Sequence, residues 1–247
     1  MPHRLLFLFF FFIVWQGSIF LFQIPDYMLP SPLMILQKII EKRSYLLFHL
    51  SISFLEISLG LSIGFILALT TSLFLDRFQR LEHFLMPYLI TLKNIPIFVT
   101  APLLLLWFGH GIGPKAFLIS LSCYFPMTVG LLEGLKHLPH YHKDFLSNIG
   151  ATSWLPTFFY IRLPHALPPF FTGFRLALMH APLSVIACDW IGSSSGLGYV
   201  MMLCYGQMDL ALMFGCLFLL MAMSLFFYFL SNSLHRYIYH KFNLHYL

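Results

Sequence analysis

Charged residues are scarce in this chain. Only 9% of its 247 residues are Asp, Glu, Lys or Arg, whereas a soluble globular domain carries about a quarter. So few charges cannot clothe a surface that faces water on all sides. Cysteine is sparse as well. Cys123, Cys188, Cys204 and Cys216 stand far apart with no CxxC spacing. That argues against a disulfide framework or a thiolate metal site and leaves four small apolar packing residues. Catalytic signatures are missing too: there is no G-x-x-x-x-G-K-[ST], no H-E-x-x-H and no G-x-S-x-G. The chain is therefore not by itself a P-loop ATPase, nor a zincin or serine hydrolase of the usual pattern. The net charge of +5 comes without a Lys/Arg-rich patch, so nucleic acid is not an expected partner.

What is present is apolar bulk. Hydrophobic residues make up 59% of the chain, with 29 phenylalanines among them. One soluble core of this size cannot hide that surface, so lipid must cover much of it. The chain reads as an all-α, polytopic membrane protein. A helix needs roughly 20 apolar residues to cross the hydrocarbon. Six segments qualify: Leu5–Phe22, Leu46–Leu75, Phe84–Trp107, Ala116–Leu132, Pro169–Ile191 and Leu210–Leu230. The first follows a lone arginine and resembles a signal peptide, yet no small-x-small cleavage site follows, so it is expected to be retained. Pro87, Pro96 and Pro102 are expected to bend the third.

Basic residues orient the spans. With the N-terminus inside, Arg4, Arg77, Arg80, Lys136, Lys143, Arg162, Arg236 and Lys241 are cytoplasmic, whereas Lys38, Lys42, Arg43 and Lys115 lie outside. Lys93 and Arg175 fall within spans. Eight against four favours both termini in the cytoplasm. The segment from about 134 to 168 is then cytoplasmic, and "GSSSGLGYVMMLCYGQMD" is an external loop. No repeat or linker divides the chain, so residues 1–247 are expected to form one transmembrane domain.

Ionisable and polar residues inside spans are the strongest functional signal, because a charge at the bilayer centre must face the bundle interior or an aqueous cavity. Glu56 is the deepest. Lys93, Asn94, Trp107, His180 and Asp189 are the other candidates for a translocation pathway. Interhelical hydrogen bonding is the competing reading for Glu56, and snorkelling competes for Arg175. Gly60 and Gly64, four apart, read as close helix packing. His137, His140 and His142 in "HLPHYH" could in principle hold zinc. No fourth ligand follows at regular spacing, so they read as a solvated turn and no metal site is expected.

The cytoplasmic segment resembles the EAA loop of binding-protein-dependent ABC importer permeases. Asp144 stands at the acidic position, Gly150 at the glycine, and Ile161, Leu163 and Pro164 at the "I-x-LP". Phe145 and Leu146 replace the usual paired alanines, and one extra residue separates Gly150 from Ile161. "IPIFVTAPLLLLWFGHGIGPK", "LPHALPPFFTGFRLAL" and "DWIGSSSGLGY" are similar to segments of the sulfonate, nitrate, taurine and thiamine-precursor branch, with Asp189 in place of the usual glutamate. Within it, "APLSVIACDWIGSSSGLGYVMM" looks most like permeases for the pyrimidine precursor of thiamine.

The resemblance implies a six-helix permease of the type I importer fold, set in a bacterial inner membrane and paired with a second copy. It implies two cytoplasmic ATPase subunits, which carry the ATP and Mg, and an external substrate-binding protein; the chain itself would be neither enzyme nor cofactor carrier. Asp144–Phe159 is expected to form a coupling helix on the ATPase, with Gly150 allowing either close backbone approach or a turn between two short helices, Ala151 beside it as a further coupling residue, and Trp154, Phe158 and Phe159 as apolar contacts. Pro164, Pro168 and Pro169 are expected to end that segment before the fifth span. Gly192, Gly196 and Gly198 are expected to border the external gate or the binding-protein dock. A secondary transporter and a membrane metalloenzyme are the alternatives from other classes.

Overall fold

A computed structural model describes residues 2–136 and 157–241. Every regular element among them is helical: α1 (Pro2–Phe22), α2 (Pro32–Glu41), α3 (Arg43–Arg77), α4 (Gln79–Lys93), α5 (Ile97–Phe108), α6 (Ile112–Lys136), α7 (Leu163–Gly192), α8 (Leu197–Gln207) and α9 (Leu210–Lys241). Four are long and apolar enough to cross a membrane, over Arg43–Arg77, Ile112–Lys136, Leu163–Gly192 and Leu210–Ile238. The 21 residues of α1 would extend about 31 Å at 1.5 Å per residue, close to the thickness of the hydrocarbon.

Three expectations change. The third span is not one bent helix but two, α4 and α5, separated by Asn94–Pro96. Pro96 caps α5 with an extended backbone, because proline lacks the N–H that would continue α4 and pushes the residue before it out of helical geometry. Pro87 and Pro102 stay inside their helices. Secondly, Pro168 and Pro169 do not precede the fifth span. A widened π-turn, Phe158–Arg162, leads directly into α7, which starts at Leu163 and runs through both prolines. Pro164 follows directly on the widened turn, in helical backbone already under way at Phe158. Thirdly, most of the expected external loop is helix α8.

α2 was not foreseen as a helix. Ser31 caps it by accepting from the Met34 N–H at 3.2 Å, with Pro32 in the first turn.

The chain falls into two compact units. Residues 1–55 with 186–223 form one, and residues 56–185 with 224–247 the other. In the first, Trp15 packs its ring against Phe214 and Phe218, and Ile39 of α2 lies against Gly215 of α9. In the second, α3, α6 and α7 pack through small residues. Gly60 and Gly64 bring α3 onto Ile119 and Ser120 of α6, as their spacing predicts. A Cβ at Gly134 of α6 would sit 2.5 Å from the Ala166 Cα of α7. Leu131, Leu135, Phe158 and Ala166 form a buried cluster at this crossing, with Leu69, Leu73, Leu163 and Phe170 against it. All four cysteines are buried.

Candidate functional site

The gap between α4 and α5 creates one wall of a cavity of about 450 Å³ in the second unit. Lys93 and Asn94 come from the end of α4 and the gap itself, Thr100 from α5, Ser122, Tyr124 and Phe125 from α6, and His180 from α7. Leu89, Ile95, Ile97, Leu118, Leu121 and Leu176 supply apolar wall between them. The Lys93 ammonium lies 5.0 Å above the centre of the Phe125 ring, within the range of a cation–π contact. No carboxylate of the described residues lines this space. A few convergent polar groups on an apolar wall make up the usual chemistry of a small-molecule site.

Three predicted pathway residues, Lys93, Asn94 and His180, therefore share one cavity although α7 is remote from α4 in sequence. The other three do not line it. Trp107 is 67% exposed near the end of α5. Glu56 is fully buried, and its Oε1 accepts from the Lys115 Nζ at 2.8 Å. Lys115, expected in an external loop, is only 3% exposed. Nothing local marks this pairing, since 59 positions separate the partners. Asp189 is buried, and its Oδ2 accepts from the Gly198 N–H at 3.1 Å.

That contact belongs to a cap. The Gly196 N–H donates to His49 Nδ1 at 3.1 Å, and the Leu197 N–H donates to Ser53 Oγ at 2.8 Å. Three side chains thus satisfy the unpaired amides that begin α8. Gly196 has φ +107°, and a Cβ there would collide with the Asp189 carboxylate, so glycine suits both the backbone and the space. Gly192 ends α7. His49 and Ser53 were not singled out from sequence because their partners lie more than 140 positions away.

Asp144, Gly150, Ala151 and Trp154 lie outside the described residues, as do His137, His140 and His142. The flanks of that segment are described. Lys136, at the end of α6, is ion-paired with Glu82 at the start of α4. Arg162 is ion-paired with Asp76 near the end of α3 and donates to the Leu135 carbonyl at 2.9 Å. Phe158 is 5% exposed within the chain's own core, whereas Phe159 is 56% exposed. Of these two rings it is Phe159's that is offered outward, and Phe158 packs into the core. Ile161 and Leu163 are half-buried, and Pro164 opens α7.

Residues 60–243 match the family described as binding-protein-dependent transport system inner membrane component. The chain is 38% identical over 226 residues to the probable ABC transporter permease protein of Haemophilus influenzae, covering 91% of this chain and 92% of that one. It is 33% identical over 188 residues to the formylaminopyrimidine transport permease protein of Halalkalibacterium halodurans, covering 76% and 74%. To the taurine transport system permease protein of Escherichia coli it is 26% identical over 194 residues, covering 76% and 70%. With helices able to span a membrane and a match across most of its length, the chain belongs to the inner-membrane permease components of binding-protein-dependent ABC transport systems.

Proposed function

We propose that this chain is the permease subunit of an importer for a pyrimidine precursor of thiamine, in a bacterial inner membrane with both termini in the cytoplasm. The observation that carries the reading is the cavity of Lys93, Asn94 and His180, in a chain similar along three quarters of its length to a formylaminopyrimidine permease. Asn94, Ser122 and Tyr124 offer donors and acceptors for a heteroaromatic ring, and Phe125 offers a stacking face. The orientation gains support from Lys115. Its burial against Glu56 removes it from the external loops, so eight basic residues inside now stand against three outside.

Two copies of the chain pair, and each docks one ATPase subunit through the segment containing Asp144, Gly150, Ala151 and Trp154, with Phe159 beside it. ATP and Mg stay on those subunits. The ion pairs Lys136–Glu82 and Arg162–Asp76 tie the flanks of that segment to α3 and α4. Because α4 starts near Glu82 and ends at Lys93, movement of the docked segment is carried to the cavity wall. Alternation between inward- and outward-facing states follows. An external binding protein delivers the solute near Gly192, Gly196 and Gly198.

Lys93 favours a second substrate class, a taurine-like sulfonate, in keeping with the taurine permease among the relatives. The cognate binding protein is expected to bind a formylaminopyrimidine at least about tenfold more tightly than taurine, and the opposite order would replace the pyrimidine with a sulfonate. Gly150→Trp is expected to abolish both uptake and ATPase co-purification. Survival of both would remove the docking role.

A further inference from the structure

Among the described residues that line the cavity, Lys93 is the one with a permanent charge at neutral pH. The lining includes Lys93, His180 and Tyr124 as titratable groups, and no Asp or Glu among the described residues faces it. Glu56, the carboxylate deep in α3, is closed against Lys115 and does not line the cavity. The Lys93 ammonium is held over Phe125, with leucine and isoleucine side chains forming much of the surrounding wall. Lys93 is exposed at this wall, so a second cation beside it meets a repulsion that water weakens without removing. An acceptor such as a ring nitrogen, an amide oxygen or a sulfonate oxygen meets a donor at the same place.

The geometry points to Lys93 as a charge filter. The cavity accepts acceptor-rich solutes that are neutral or anionic, and rejects those carrying a net positive charge. This rests on the cavity being the translocation site, and it adds the electrostatic class of the solute. For a pyrimidine, it favours a substituent whose amine is capped as a formamide over one whose amine is a free ammonium.

Two probes test it: a neutral 5-(formamidomethyl)pyrimidine and the 5-(ammoniomethyl)pyrimidine left when its formyl group is removed, which carries one positive charge. Uptake of each is measured in proteoliposomes holding the chain with its ATPase and binding protein. The binding protein is the same in every arm, so a change in the neutral-to-cationic uptake ratio between variants reports on the permease. Lys93→Arg is expected to keep the wild-type ratio. Lys93→Gln should narrow it about threefold, and Lys93→Glu should shift it about tenfold or more toward the ammonium probe.

A ratio within about twofold of wild type in Lys93→Glu, with the neutral probe still taken up, overturns the filter and leaves the pyrimidine reading standing. Loss of both probes in Lys93→Glu at normal membrane level, together with an unchanged ratio in Lys93→Gln, also overturns it. If wild type carries neither pyrimidine but carries an amine-free sulfonate such as ethanesulfonate, and Lys93→Glu lowers ethanesulfonate uptake about tenfold while Lys93→Arg does not, the filter stands and the pyrimidine reading falls.

Discussion

Glu56 and Lys93 are both charged residues within apolar segments of the same unit, yet their surroundings are opposite. Glu56 meets Lys115 at 2.8 Å, and both are buried. Lys93 stands at a helix break, over an aromatic ring, in a cavity that no carboxylate of the described residues lines. A buried charge with an opposite partner is part of how helices are joined. A charge facing a cavity that contains no counter-charge is available to a solute. Depth in a span therefore does not by itself identify a transport residue; what decides is whether the partner is inside the protein.

The comparison can be broken most forcefully at the closed pair. Lys115→Leu leaves Glu56 buried without its cation and is expected to cost about 3–5 kcal/mol, seen as a large fall in thermal stability of the purified protein. Glu56→Leu with Lys115→Leu removes both charges together. It should recover most of that stability and retain uptake; lost uptake in a stable double variant would place Glu56 on the pathway. At the cavity the effects should reverse. Asn94→Ala, at an exposed side chain, should leave stability within about 0.5 kcal/mol of wild type while uptake falls severalfold. Unchanged uptake would mean that the cavity is not on the solute's route. The Lys136–Glu82 pair is intermediate, with one partner partly exposed. Glu82→Gln should cost about 1 kcal/mol or less because water screens the lysine, and a loss as large as that of Lys115→Leu would place this pair with the buried one.

Much of the helical framework was legible from apolar runs, because lipid leaves the chain little choice but to satisfy its backbone within helices. Gly60 and Gly64 were legible for a similar reason: four-residue spacing puts both on one helix face. The split of the third span was encoded in "KNIPIF", but Pro87, Pro96 and Pro102 looked alike, and only Pro96 separates two helices. A proline inside a membrane helix can be accommodated by its neighbours, so its outcome depends on packing that no local pattern records. Pro168 and Pro169 show the same limit, since α7 continues through both. Asp189 looked like a pathway acid from its place in an apolar run. In the fold it caps α8, a helix in the stretch expected to be an external loop.

The sequence by itself determined that this is a helical membrane protein, that it carries the marks of a binding-protein-dependent permease, and which few polar residues merit scrutiny. Those properties follow from composition, span length and local motifs, all of which are written along the chain. Only the tertiary structure decided that Lys115 belongs to Glu56, that His49, Ser53 and Asp189 together cap α8, and that Lys93, Asn94 and His180 meet in one cavity. The physical reason is the same in each case. A charge or a donor takes its meaning from the group it faces, and here those groups are supplied by other helices, often far away in sequence.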